Sequence, residues 1–270
     1  SNGASIKQAN ITMKNSSNII IRNIKFDELW EWDEETNGDY DRNDWDYMTI
    51  DSACNGIWID HCTFYKAYDG VIDVKNPSPE NNVTISWCEF LPGSEDDIFF
   101  DAMMDELGRN PEKYPYYQHL LDAGMTKSQI RGYAYGQKKT HLFGQSDEAA
   151  NAAGIKVTLA NNYYYNSMDR MPRLRYGYTH VYNCIMDAQE LRDTRKSITN
   201  EDIAKKSVSN GASSTCGAQV LLENCYINGI ENALNSGNGS SPSGYINAVN
   251  SLYYLDGVKT TLEPKCNSTG

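Results

Sequence analysis

Seven eight-residue stretches of the chain share one pattern of apolar and polar positions: IIIRNIKF (19–26), IWIDHCTF (57–64), VTISWCEF (83–90), VTLANNYY (157–164), THVYNCIM (179–186), VLLENCYI (220–227) and INAVNSLY (246–253). In each, small or apolar residues stand at places one and three and inward-type residues at six and eight. The parity changes at place five. Side chains of a straight strand alternate strictly, so one strand cannot keep all four on the same side. Two short strands joined by a sharp bend can. In five copies the bend residue is asparagine, at Asn23, Asn161, Asn183, Asn224 and Asn250, a residue that tolerates the left-handed backbone such a bend needs.

The copies begin at residues 19, 57, 83, 157, 179, 220 and 246, at intervals of 38, 26, 74, 22, 41 and 26. The shorter intervals suit one coil of a stacked solenoid, with the longer ones holding loops or a skipped coil. The repeats therefore predict an all-β fold, a right-handed parallel β-helix forming one domain over 1–270 without a linker. Cys62, Cys88, Cys184 and Cys225 all occupy place six. Stacking would make them an interior ladder of reduced thiols, since free cysteine behaves as a small hydrophobe; disulfides among them are the alternative. Two excursions interrupt the pattern. The segment 93–137 contains EDDIFFDAMMDEL and PYYQHLLDAGM, which read as helices separated by Pro111 and Pro115. The polar, lysine-rich segment 187–216 reads as another loop or short helix.

Composition narrows the reading only slightly. Charged residues make up 22% and hydrophobic residues 40% of 270, a folded globular balance. Seven cysteines include no CxxC pair or zinc-like spacing. No apolar run of about 18 residues exists, so no transmembrane helix is expected, and no signal peptide is visible. The opening SNGASIKQANITM reads like the middle of a structure, so preceding sequence is expected.

Charge is more informative. The stretch DRMPRLRYG places Arg170, Arg173 and Arg175 within six residues, on a chain with 36 acidic and 24 basic residues and a net charge of −12. A nucleic-acid-binding domain normally has a pI above about 9; here it is 4.8, so nucleic acid is not the expected partner. NDWDYMTI places Asp44 and Asp46 just before a coil, and YDGVID places Asp69 and Asp73 after the strand pair ending at Phe64. Such carboxylates, without cysteine or histidine, suit a hard cation, calcium or magnesium. Solvated loop acids are the plainer reading, but stacked coils would bring these residues together. DEETNGDYDRND (33–44) half-matches an EF-hand loop, yet has Glu35 at its third place, Asp44 at its twelfth and no flanking helical pattern; it is rejected.

At this point the residues match a family. WIDHCTF, DGVID, VTISWCEF, KKTHLFGQSD, VTLANNYYYNSMDRMPRLRYG and HVYN occur in this order. Together they resemble polysaccharide lyase family 1, the pectate lyases, from about Ser17 to Met186 and more weakly beyond. The resemblance implies a Ca²⁺-dependent, secreted or extracytoplasmic enzyme, expected to be monomeric, that cleaves polygalacturonate by β-elimination into 4,5-unsaturated oligogalacturonides. Asp46, Asp69 and Asp73 match calcium ligands, and Asp44 an extra ligand of some members. Arg170 matches the catalytic base, while Lys139 and Arg175 match residues that bind the uronate and assist catalysis. Arg173 is open between substrate contact and salt bridge. The aspartates favour pectate over the esterified substrate of pectin lyases. The family fold begins several dozen residues earlier, so its N-terminal cap is expected to be absent here, and the excursion at 93–137 is long for it.

The implied chemistry removes the proton on C5 of a galacturonate, alpha to a carboxylate that is already negative. Calcium would withdraw that charge, and Lys139 and Arg175 would stabilise the developing anion. The arginine cluster then reads as a seat for a polyanion. A polygalacturonase on the same solenoid would need paired catalytic acids, which nothing here provides beside the Arg-Lys cluster. A non-catalytic polysaccharide-binding β-helix would bind without turnover. His61 and His180 read as bend or stacking residues. Arginine is normally always protonated, but calcium, Lys139, Arg173 and Arg175 would disfavour its charged form. A pH–rate profile is therefore expected to rise to an alkaline optimum; a bell centred below pH 6 would remove Arg170 as base.

Overall fold

The computed structural model describes residues 3–75 and 81–268. Every third strand along the chain enters the same sheet, giving sheets of nine, eight and seven strands wound into one parallel β-helix. One coil shows the plan. Asn55–Asp60 lies in the seven-stranded sheet, Thr63–Phe64 in the nine-stranded sheet and Ile72–Val74 in the eight-stranded sheet. Among the described residues the strand ladders are parallel except the last in the nine-stranded sheet, where Leu252–Leu255 meets Val258–Lys259, with single antiparallel bridges at Thr215–Ser243 and Asn238–Ser241.

Each of the seven repeats forms the corner between the seven- and nine-stranded sheets. All seven bend residues, including the two exceptions His61 and Trp87, have φ between 49° and 57°. The bend turns the chain without using the interior, so places one, three, six and eight all face inward. Ile57 pairs with Val83, Val83 with Val157, and Val157 with Thr179. At place eight, Phe26, Phe64, Phe90 and Tyr164 stack with ring centroids 4.8, 5.3 and 4.7 Å apart, in the offset geometry aromatic faces prefer. The Asn81–Ser86 strand pairs directly with Ile155–Ala160, so the 74-residue interval skips no coil.

The four cysteines at place six are free thiols and buried. The thiols form two neighbouring pairs rather than one ladder, because Asn162 occupies place six between Cys88 and Cys184. Its amide is satisfied internally, donating to Ile85 O at 2.9 Å and accepting from Cys88 N at 2.9 Å, which removes most of the cost of burying it.

The first excursion contains three helices, α1 (Ile98–Arg109), α2 (Pro115–Asp122) and α3 (Lys127–Tyr135). The third has a Thr126/Gln129 capping box, but its sequence KSQIRGYAY is more polar than the other two and carries Gly132 inside it, which hides the apolar stripe. The second excursion contributes α4 (Gln189–Ser197) and α5 (Glu201–Lys206). Its end corrects the expectation for 187–216: Asn210–Thr215 is a strand, paired with Arg173–Arg175 and Asn232–Gly239. NGASST shows no apolar alternation because small residues suffice where the next coil packs close; Gly211 lies directly against the Ala233 carbonyl, leaving no room for a Cβ.

The helices build a second core of Phe100, Leu107, Tyr117, Leu120 and Ile130 against Trp30, Trp32, Tyr40 and Tyr68 of the solenoid loops. That core anchors the segment leading into Asp44 and Asp46.

Asn183 tests the bend rule, since its Nδ2 also donates to Asn161 Oδ1 at 3.2 Å. Asn183→Gly and Asn183→Ala both lose this bond, but only alanine meets the left-handed penalty of about 1 kcal/mol. Urea unfolding should place the alanine variant below the glycine variant; equal midpoints would contradict the account.

Candidate active site

The candidate site lies where each coil turns from the nine-stranded into the eight-stranded sheet. Four consecutive turns are locked in step by backbone bonds: Met48 N to Val71 O at 3.0 Å, Val71 N to Thr140 O at 2.7 Å, and Thr140 N to Asp169 O at 3.1 Å. The side chains beside these bonds are those singled out in the sequence: Asp46 in the first turn, Asp69 and Asp73 in the second, Lys139 in the third and Arg170 in the fourth. Residues up to 124 positions apart in the chain, Asp46 and Arg170, become neighbours of neighbours because the coils stack in register.

Carboxylate oxygens of Asp44, Asp46 and Asp69 lie within 4.8 Å of one another. Asp46 is buried, accepting from Gly70 N at 2.9 Å, and its carboxyl is pushed up to about 6 by burial and then by the Asp69 charge. Asp73 stands outside this trio but beside Asp46. Burial, then the Asp46 charge, raises its carboxyl well above the ordinary range, and Arg170 opposes the rise. Its Oδ1 accepts from Leu142 N at 3.0 Å. Glycine is required at position 70, because a Cβ there would run into both the Asp46 and Asp73 carboxylates.

Buried anions with so few donors call for a compensating cation. Part of the compensation is Lys75, whose Nζ lies 3.1 Å from Asp44 and 3.7 Å from Asp46. The sequence reading missed Lys75; the signal available was a cation two residues after Asp73, just past the end of the Ile72–Val74 strand. The donor set, carboxylate oxygens without sulfur or imidazole, fits calcium or magnesium and not a soft metal.

Lys139 reaches back to this cluster. Its Nζ lies 2.8 Å from Asp69 Oδ1 and 3.2 Å from the Tyr40 carbonyl, and it pairs with Asp41. Gln137, also missed, is a buried cross-brace: its Nε2 donates to Asp69 O at 2.8 Å and Lys139 O at 2.7 Å. A buried glutamine carries no sequence signal until its two backbone partners are known.

The arginines differ from one another. Arg170 has left-handed backbone, φ 65°, and its buried Nε has no hydrogen-bond partner. Arg173 makes no ion pair among the described residues; its Nη2 donates to Ser241 Oγ at 2.9 Å. Burial, then the adjacent Arg175 and Arg170 charges, lowers the Arg173 guanidinium to about 10. Arg175 is tied down, with Nε 2.7 Å from Asp147 and Nη1 3.0 Å from Gly144 O. A guanidinium with an unsatisfied buried N–H, next to an ammonium and a nest of carboxylates able to hold a divalent cation, suits an anionic ligand. A cleft of about 870 Å³ lies elsewhere, on the outer face of the seven-stranded sheet, and its lining has no acidic residue. Of the two histidines singled out in the sequence, His61 forms a bend and stacks on Trp87 at 5.9 Å, and His180 contacts Glu223 at 3.2 Å; neither joins the cluster.

A family model described as pectate lyase matches residues 1–99 and 127–246, leaving out the segment that forms most of α1 and all of α2. Pectate lyase B of Paenibacillus amylolyticus is 45% identical over 242 residues, covering 85% of this chain and 61% of that protein. The solved pectate lyase of Paenibacillus sp. 0602 superposes with a TM-score of 0.89 at 40% identity, covering 96% of this chain and 61% of that one. The pectate trisaccharide-lyase of Thermotoga maritima is 31% identical over 182 residues, 67% of this chain and 37% of that protein. The chain thus spans about three-fifths of the first two relatives' length.

Saturating calcium should raise the thermal midpoint by roughly 5–10 °C, the size expected when ligand exceeds its dissociation constant about 100-fold, and a chelator should reverse it. Asp69→Asn should abolish most of the shift. A wild-type midpoint insensitive to calcium would exclude this cluster as a cation site.

Proposed function

The chain belongs to the pectate lyase family, and we propose that it cleaves polygalacturonate, the de-esterified form of pectin, by β-elimination at this groove. The carrying observation is the stacking of Asp46, Asp69, Lys139 and Arg170 on successive turns, with Lys139 in ion-pair contact with Asp69. The pectate lyase names of the relatives at 45% and 31% identity support the same reading.

Asp46, Asp69 and Asp73, with Asp44 at the rim, would hold calcium. When bound, calcium withdraws charge from the substrate carboxylate and so makes its alpha proton easier to remove. Lys139 and Arg175 would hold the uronate and stabilise the charge that develops on it, with Arg173 contacting the substrate beside them. Arg170, whose Nε lacks a partner, would take the proton from C5. The C5–H electron pair then forms the C4–C5 double bond as the C4–O bond breaks, and the departing oxygen is protonated by water. A chain acting on a cell-wall polymer would work outside the cytoplasm.

The test is ultraviolet absorbance from the unsaturated product on polygalacturonate. Wild type should generate it with calcium and lose it with a chelator, and Arg170→Ala should reduce kcat by at least about 100-fold, the low end for a general base. Reducing ends released without new absorbance would identify a hydrolase instead, and binding without turnover a non-catalytic module.

A further inference from the structure

We propose that Asp41 sets how strongly the groove prefers a charged uronate, by occupying Lys139 in place of the substrate carboxylate; this rests on the reading of the site given above. An ammonium has three N–H donors. Lys139 donates to the Tyr40 carbonyl at 3.2 Å and to Asp41, and its Nζ lies 2.8 Å from Asp69 Oδ1 as an ion-pair partner, although that oxygen accepts no hydrogen bond. A substrate carboxylate reaching Lys139 therefore competes with Asp41 for the ammonium.

Two of the three are fixed. Tyr40 is buried with φ 56°, its ring set between Trp30 at 6.3 Å and Tyr68 at 5.3 Å. The Asp69 backbone is bonded on both sides, its N–H to Trp45 O at 3.3 Å and its carbonyl to Gln137 at 2.8 Å. The Asp41 side chain, 66% exposed, has no other hydrogen bond among the described residues. It can swing into water at little cost.

The placement of Asp41 is built. Asp33 accepts from Thr36 N at 3.0 Å and pairs with the Tyr68 hydroxyl, closing the turn that leads to Tyr40. Glu34 accepts from Trp32 Nε1 at 2.5 Å and from Tyr117 N at 3.3 Å, fastening the loop to the first turn of α2. The loop is therefore held at both the solenoid and the helical excursion, with Asp41 directed at Lys139. An incoming uronate exchanges one carboxylate for another and gains only the difference. A methyl ester brings no charge to Lys139 and has little to gain whether Asp41 is there or not. Asp41 thus weakens binding of the acid more than of the ester.

Calorimetric titration of trigalacturonate and of its methyl ester, into wild type and Asp41→Asn at saturating calcium, tests this. The acid should bind Asp41→Asn about fivefold more tightly, the upper end for an exposed ion pair, with the ester moving less than about twofold. Steady-state rates on polygalacturonate should show the change in KM and not in kcat, and Asp41→Glu should return the acid towards wild-type affinity. An unchanged or weaker affinity for the acid, or equal shifts for both ligands, would overturn the role of Asp41 while leaving the lyase reading intact. Wild type binding neither ligand would overturn both.

Discussion

The structure depends on the in-register stacking of its coils. Each coil contributes three short strands that cannot bury an apolar face alone, and parallel backbone bonds to the next coil fix their position to within one residue. The left-handed bend at place five makes this possible, since it rotates the chain through a corner while four side chains per repeat stay inward. The interior then consists of rows: β-branched residues along the seven-stranded sheet, and the rings of Phe26, Phe64, Phe90 and Tyr164 along the nine-stranded one. A one-residue slip would expose every row at once, so the register is strongly specified.

The same stacking creates the site and its electrostatic strain. Turns that are separate in sequence are superposed, so Asp46, Asp69 and Asp73 crowd against each other, balanced by a few backbone donors, Lys75 and Lys139. The raised carboxyls of Asp46 and Asp73 follow from burial and mutual repulsion. On the adjoining coils, Arg170, Arg173 and Arg175 repel one another, with Asp147 and Asp169 offsetting part of the charge. The carboxylates and the arginines thus stand on neighbouring turns, with Lys139 paired to Asp69 and Arg175 to Asp147. Such preorganised charge is what an anionic polymer and a divalent cation together can use. It also accounts for an arginine cluster on a chain of net charge −12: the positive charge is local and faces the groove.

The helical excursion has a role in this arrangement. Its second hydrophobic core grips Trp30, Trp32, Tyr40 and Tyr68, and through them the loop from 33 to 46 that supplies Asp41, Asp44 and Asp46. Thus α1–α3 support the segment that carries these carboxylates, even though the matched family model leaves out most of α1 and all of α2.

Period and parity alone determined the parallel β-helix, the seven corners and the interior positions, because strict alternation broken at a fixed place admits only one geometry. That Asp44, Asp46, Asp69, Asp73, Lys139 and Arg170 would come together on adjoining turns was legible from their order and their motif. Strand Asn210–Thr215 was not, because small residues packed against a close neighbouring coil show no apolar alternation. Neither were Gln137, Lys75 and the Asp41–Lys139 contact. Each is defined by a partner on another coil, so its meaning exists only once stacking has brought the two together. Tertiary structure alone also separated the three arginines of one nine-residue motif, leaving the Nε of both Arg170 and Arg173 unpartnered, giving Arg173 a single hydroxyl at Nη2, and binding Arg175 to Asp147. Local sequence sets which charges are present; the register of distant strands decides which of them are neutralised.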